Sequence, residues 1–389
     1  MIYLKKKALI LFLVFILLFF YPVASLAQAP MQSDAELPIV SEAAVLMEAH
    51  NGTVLYEKNA RKPMHPASIT KIMTLLLVGE AIDEEIIDWD DTVTVSLNAY
   101  RMNIGSRMFL EHNQKVSVRD LVKGIAIISG NDACVAIAEH VAGSEENFVK
   151  QMNRRAEELG MVNTNFENSH GLHDPKQTMS AFDVAVLSDF FLRTQPEIAA
   201  YQSEKEWTFN DIRQYNRNPL LDRYEGASGL KTGYLSEAGW CLAGSAERNG
   251  FRLITVVMKS PDSATRASDS QVLLNHGFNR YILDKRAFDN TRITSAPVIR
   301  GSIESLDLFP VSDIDIIIPR DQEVYLTEEL VLEEKIVAPV EKGDVLGEIT
   351  IFYDDDELFS MELIASEDVE RLGFFAYIWR SILNLFRRG

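Results

Sequence analysis

The stretch "HPASITKIMT", residues 65–74, opens an apolar run from Ile69 to Val78 and sets Ser68 three residues before Lys71. The run is apolar nearly all round a 3.6-residue period, so the helix it predicts has no solvent face and belongs at the centre of a domain. Residues three apart share a helix face, which puts the Lys71 amine within reach of the Ser68 hydroxyl. A serine is a weak nucleophile until a base takes its proton. A lysine with an unperturbed pKa near 10.4 is neutral in only about one molecule in 2,500 at pH 7; bringing it to about 7 takes roughly 4 to 5 kcal/mol of environment. Burial and a second nearby cation both act in that direction. The positive N-terminal end of the same helix faces any oxyanion formed at Ser68.

On either side of this helix the chain is marked by two Asn-Gly turns. "AAVLMEAHNGTVLYE", residues 43–57, reads as a hairpin turning at Asn51-Gly52, and "GWCLAGSAERNGFRLITVVM", residues 239–258, turns at Asn249-Gly250. Between them the pattern is mostly helical: Ser117 to Asp120 reads as a capping-box-like start for a helix through Ile128, and "DACVAIAEHVAG" predicts a second that stops at Gly143. Strands at both ends with helices between predict an α+β domain whose sheet is closed by its C-terminal part.

A serine and a lysine at this spacing recur by chance about once or twice in a chain of this size. Ser228-Gly-Leu-Lys231 is such a recurrence. It lies in the glycine-rich, strand-like "GASGLKTGYL", where residues three apart point to opposite faces, so Ser228 is a decoy and Lys231 needs another task. Two further segments fit a site. "IISGNDAC" places Ser129, Gly130 and Asn131 between two apolar helices, and "KTGY" supplies a cation, a hydroxyl and, at Gly233, bare backbone along which a ligand can lie. The plain readings are a helix break and a solvated edge-strand lysine.

Beyond "DSQVLLNHGFNRYIL" the texture changes to short, often alternating strands separated by Gly, Pro and acidic turns, which predicts an all-β module over residues 286–370. Residues 301–370 hold 21 Asp and Glu against Arg320, Lys335 and Lys342. The final segment, 371–389, is amphipathic: Phe374, Phe375, Ile378, Trp379, Ile382, Leu385 and Phe386 share one half of a helical wheel, and Arg380, Asn384, Arg387 and Arg388 the other. Eighteen helical residues reach only about 27 Å, with Arg380 midway, so a helix lying in a membrane interface is expected rather than one spanning it. A helix docked on its own domain is the alternative.

The chain of 389 residues is 47% apolar and has a formal charge of −19. Its start, Lys5 to Lys7, an apolar run from Ala8 to Phe20 and Ala27-Gln28-Ala29, reads as an export signal over residues 1–29. Removing it takes away three lysines and no acid, leaving about −22. Nucleic acid is excluded as a partner, because phosphate binding needs a basic face. Cys134 and Cys241 both lie in apolar runs and are expected to be buried free thiols, not a disulfide framework.

Ser68-Ile-Thr-Lys71, Ser129-Gly-Asn131 and Lys231-Thr-Gly233, in that order and 61 and 102 residues apart, resemble the three signatures of penicillin-binding proteins and serine β-lactamases. "NSHGLHDPKQTMSAFDVAVLS", "NRNPLL", the β-module and the amphipathic tail narrow the resemblance to the low-molecular-mass D-alanyl-D-alanine carboxypeptidases. The resemblance implies a transpeptidase-like catalytic domain over residues 36–282 and no cofactor. It implies that Ser68 is acylated and Lys71 accepts its proton. Ser129 relays a proton to the leaving amine, and Asn131 hydrogen-bonds the peptide. Lys231 and Thr232, beside Gly233, hold the terminal carboxylate, and the Ser68 and Tyr234 N–H groups form the oxyanion hole. The implied substrates are peptidoglycan stem peptides ending in D-Ala-D-Ala, with β-lactams as inhibitors, at the outer face of the cytoplasmic membrane.

Two rivals follow from the same residues. A β-lactamase needs a deacylating glutamate; Glu167 in "FENSHG" is near the right place but lacks the E-x-x-L-N context. A non-catalytic penicillin sensor or wall-binding protein would keep the fold without turnover. His170 and His173 sit at metal-ligand spacing without an evident third partner, so no metal is expected. Arg217 in "NRNPLL" is read as either site-lining or structural.

Overall fold

The two Asn-Gly turns fold as hairpins and become one sheet. In a computed structural model that describes residues 37–49, 51–286, 292–311, 314–320, 326–353 and 356–387, β1 (Ala43–Glu48) pairs antiparallel with β2 (Val54–Lys58). The expected export signal lies outside the described residues. β3 (Ala227–Leu235), β4 (Gly239–Arg248) and β5 (Phe251–Ser260) follow as an antiparallel meander. Asn249 and Gly250 both have positive φ, 53° and 78°, as a two-residue type I′ turn requires. β1 then zips onto β5, Ala43 opposite Met258 through Glu48 opposite Leu253, giving the order β2-β1-β5-β4-β3. β3 is therefore an edge strand.

Period-two alternation sends the two faces of this sheet into different cores. Val45, Met47, Ala243 and Val256 join the large cluster containing α1 (Lys71–Asp83), α2 (Val118–Ala126), α3 (Asn131–Ala142), α4 (Glu145–Glu158) and α5 (Ala181–Thr194). Ala44, Leu46, Leu253 and Val257 pack with Leu273, Leu274 and Phe278 of α6 (Ser263–Arg280). α1 is buried on all sides from Lys71 to Gly79, and truncating Leu75 or Leu76 to alanine costs about 2–5 kcal/mol. The expected helix from Ile69 begins instead as a 3₁₀ turn, Ala67–Thr70, and α1 runs on to Asp83. α2 starts where expected, with the Ser117 hydroxyl accepting from the Asp120 N–H at 3.1 Å, and ends two residues short of Ile128. Gly143 ends α3 with φ of 76°.

The chain leaves α6 directly into β6 (Tyr281–Arg286), which occupies the expected gap between residues 282 and 286. The β-rich part continues through β7 (Thr294–Ile299), β8 (Ser305–Pro310), β9 (Ile314–Pro319), β10 (Leu326–Leu332), β11 (Ile336–Val337), β12 (Val345–Tyr353) and β13 (Asp356–Ala365). β6 pairs with β9, and six strands form a sheet ordered β10-β12-β13-β8-β7-β11 around a core including Leu306, Leu308, Ile351 and Leu363. Ile317 of β9 packs with Tyr281 in the α6-side core, so the two parts share apolar contact. α7 (Phe374–Arg387) closes the described chain. Phe374, Phe375 and Trp379 are 68%, 86% and 65% exposed, whereas Arg380 turns inward, donating to the Ser302 carbonyl at 3.4 Å and lying 4.0 Å from Glu304. No helix among the described residues is long and apolar enough to cross a membrane.

Candidate active site

The 3₁₀ turn before α1 presents Ser68 at the mouth of a cavity of about 340 Å³, and α1 begins with Lys71, whose side chain is fully buried. Lys71 Nζ lies 3.0 Å from Ser68 Oγ, 2.7 Å from Asn131 Oδ1, and hydrogen-bonds the His170 carbonyl. Asn131 Nδ2 donates to the Ile104 carbonyl at 2.8 Å, which fixes the amide so that its oxygen faces the amine. Of the three neighbours of Nζ, two can only accept and one, Ser68, can donate. A neutral amine has two N–H bonds and one lone pair. The carbonyls consume the hydrogens, and the lone pair is left facing the Ser68 hydroxyl.

Burial pushes the Lys71 amine down to about 8, with Arg217 adding to the effect and Asp132 opposing it. At that value about one molecule in ten is neutral at pH 7, a gain of roughly 250-fold over a free lysine. Burial, followed by the Lys71 charge, holds Lys231 well below the ordinary lysine range. Lys231 has no hydrogen bond or ion pair among the described residues, so its buried amine is free to pair with an anionic ligand, whose charge would in turn favour the protonated form.

The second segment enters as a strained turn. Ser129 has φ of 66°, an uncommon conformation for serine, and its hydroxyl is buried without a partner among the described residues. The Asn131 N–H that starts α3 donates to the Ser106 carbonyl at 2.8 Å, and the Asp132 carboxylate takes the Met108 and Leu110 N–H groups, pinning the 104–110 loop over the site. Gly105 is dictated here: a Cβ would lie 2.9 Å from Asn131 Nδ2.

The third segment is the edge strand β3. Gly233 is tightly packed, since a Cβ would sit 3.0 Å from the Ala67 Cβ and the Pro66 carbonyl and 3.2 Å from the Ser68 nitrogen, so any side chain there would push the nucleophile turn. Thr232, Gly233 and Tyr234 line the cavity with Ser68, Ser129 and Asn131, while Lys71 and Lys231 are buried outside that lining. All eight sequence-derived site residues thus converge. Ser228 instead donates to Ser245 at 3.3 Å, away from the cavity.

A family model described as D-alanyl-D-alanine carboxypeptidase matches residues 28–262, and one described as the C-terminal domain of penicillin-binding protein 5 matches residues 284–371. The chain is 38% identical to the D-alanyl-D-alanine carboxypeptidase DacA of Haemophilus influenzae, across 91% of this chain and 92% of the relative. The chain belongs to the D-alanyl-D-alanine carboxypeptidase family. Another family member, DacF of Bacillus subtilis, is 34% identical across 97% of this chain and 98% of its own length. The crystal structure of penicillin-binding protein 5 from Haemophilus influenzae superposes with a TM-score of 0.81 at 37% identity, covering 87% of this chain and all of that one. Penicillin-binding protein D2 of Listeria monocytogenes, solved in an ampicillin-bound form, gives 0.58 at 33% identity, covering 63% of this chain and all of its own.

This carboxypeptidase-family site also contains parts that no motif announces. Arg266 of α6 reaches under the sheet to the Cys241 carbonyl at 3.2 Å and the Gly233 carbonyl at 3.5 Å, with its guanidinium 5.2 Å from the Trp240 ring; burial lowers it to about 10. Trp240 in turn stacks on the exposed Tyr234 at 4.2 Å. Arg217 lines the cavity, with Nη1 donating to Ser106 Oγ at 2.7 Å. Glu167 is exposed, bonded to Asn165 at 3.0 Å, and absent from the lining. His170 is pushed down to about 3 by burial and the Lys71 charge; its Nδ1 accepts from the Leu172 N–H at 3.1 Å. The His173 ring stacks on His65, not on His170.

Proposed function

We propose that this chain is an exported serine D-Ala-D-Ala carboxypeptidase acting on peptidoglycan stem peptides. The observation that carries the reading is the hydrogen-bond arithmetic at Lys71: two obligate acceptors and one hydroxyl around an amine lowered to about 8. Lys71 takes the Ser68 proton as Oγ attacks the carbonyl between the two D-alanines. The N–H groups of Ser68 and Tyr234 receive the oxyanion. Ser129 passes the proton to the departing amine, D-alanine leaves, and water hydrolyses the ester. Asn131, whose Nδ2 keeps one hydrogen free of the Ile104 bond, contacts the peptide. Lys231 and Thr232 hold the terminal carboxylate, a charge-assisted bond that restricts the enzyme to chain ends. A β-lactam places its own carboxylate and strained amide in the same positions and acylates Ser68. The position of Glu167 away from the cavity supports slow release of that adduct.

In this reading residues 36–282 form the catalytic domain, 286–370 a stalk or docking module, and 371–389 an anchor on the outer face of the cytoplasmic membrane. The outward aromatic residues and inward Arg380 of α7 support an interfacial helix, because self-docking would bury the aromatics instead. The deciding experiment measures D-alanine release from a D-Ala-D-Ala tripeptide and maps the penicilloyl adduct by mass spectrometry. The expected adduct is on Ser68, with release abolished in Ser68→Ala; an adduct elsewhere, or an active Ser68→Ala, overturns the reading.

A further inference from the structure

The residue that opens the nucleophile turn makes a contact that the catalytic scheme does not use. His65 Nδ1 accepts the Ala67 N–H at 3.2 Å, and Ala67 has φ of 49°, a left-handed conformation that an alanine adopts only when its surroundings hold it. The next residue is Ser68. The far side of Ala67 is held too: its carbonyl accepts from Thr70 Oγ1 at 2.8 Å and presses on Gly171, where a Cβ would lie 2.0 Å from that oxygen. Only the His65 bond in this set depends on a titratable group. An Nδ1 that accepts must be unprotonated, so the ring hydrogen is on Nε2, which is buried without a partner among the described residues. The His173 ring stacks on it at 5.2 Å between centroids, tilted by 30°.

We propose that His65 is a positioning residue for acylation: its neutral imidazole clamps the left-handed Ala67 turn that aims Ser68 at Lys71, and protonation of His65 beside His173 releases the clamp. This rests on Ser68 being the nucleophile. The charged and titratable groups facing His65 are His173 and Asp174 on the loop after the cavity and Glu237 on the β3–β4 turn. Burial, and then His173, hold His65 below the usual imidazole range, while Glu237 and Asp174 pull it upward.

The test is the second-order rate of Ser68 acylation by a labelled penicillin between pH 4.5 and 8, with circular dichroism confirming the fold at each pH. Lys71 alone gives a limb falling about tenfold per pH unit; the second proton on His65 steepens this to about a hundredfold per unit at the acid end. In His65→Asn, whose Oδ1 occupies the place of Nδ1 and cannot be protonated, the limb stays tenfold throughout and the rate at pH 7.5 stays within about twofold of wild type. His65→Ala is slow at every pH without the steepening. His173→Asn moves the break to higher pH, because the opposing charge is gone. Equal slopes in wild type and His65→Asn down to pH 4.5, with Ser68 labelled in both, overturn the proposal. A label on another residue overturns the reading it rests on instead.

Discussion

Replacing Asn131 by aspartate exchanges a neutral acceptor for an anion of nearly the same shape, 2.7 Å from Lys71 Nζ. An opposite charge at that range raises an amine by about 1–3 pKa units. Starting from about 8, the amine moves to about 9–11. At pH 7 the neutral fraction then drops from about one in ten to between about one in a hundred and one in ten thousand, so acylation slows roughly ten- to thousandfold. The loss is recoverable. Each pH unit restores about tenfold, and the acylation limb, which levels off near pH 8 in the wild type, continues rising to pH 9 or beyond in the variant. The assay is stopped-flow acylation by a fluorescent penicillin from pH 6 to 10.5. A variant equally impaired at every pH refutes the argument that the amine's protonation limits the reaction, and assigns Asn131 to substrate contact alone.

The remaining predictions test other links. Lys71 is neutral in the fold above about pH 8 but charged in the unfolded chain up to about 10.5, so the unfolded state binds more protons in that window and stability rises with pH across it; urea unfolding should show this rise flattened in Lys71→Met. In Gly233→Ala the added methyl meets the Ala67 Cβ and the Pro66 carbonyl at 3.0 Å, so kcat/KM should fall at least about tenfold while unfolding shifts by only about 1–3 kcal/mol. Cys134, pushed up to about 12 by burial, should resist a thiol reagent at pH 8 in the native protein and react fully in urea. A chain ending before Phe374 should keep tripeptide hydrolysis but no longer float with anionic vesicles, and vesicle binding by the full chain should weaken in Phe375→Glu/Trp379→Glu.

Local chemistry explains how much of this was legible beforehand. Gly52 in the first hairpin and Asn249 and Gly250 in the second take positive φ, a demand that asparagine and glycine announce directly. The central helix was legible because α1 carries apolar side chains all round. The order in which β1 lies against β5 was not, since both strands are buried on both faces and any neighbour would satisfy their pattern. In the site, Ser68, Lys71, Ser129, Asn131 and the Lys231 segment were readable as motifs. The His170 carbonyl that takes a Lys71 hydrogen was not, because a backbone acceptor leaves no residue type behind it. Arg266 sits on a helix whose sequence reads as ordinary amphipathic surface, and only its place under β3 and β4 makes it part of the floor. The gap expected before residue 286 disappears for a similar reason: β6 pairs with β9, and Tyr281 and Ile317 join one apolar cluster, partners that only the folded chain supplies.

The apolar cluster that Tyr281 and Ile317 share has a mechanical meaning. Two globes on a loose tether sample every separation that the tether permits, whereas a helix running straight into a strand, with the first strand residue buried in a shared apolar cluster, transmits orientation. With α7 lying on a lipid surface, the catalytic mouth would stand at one height and one tilt. In that arrangement the length of the molecule would choose which layer of wall is trimmed.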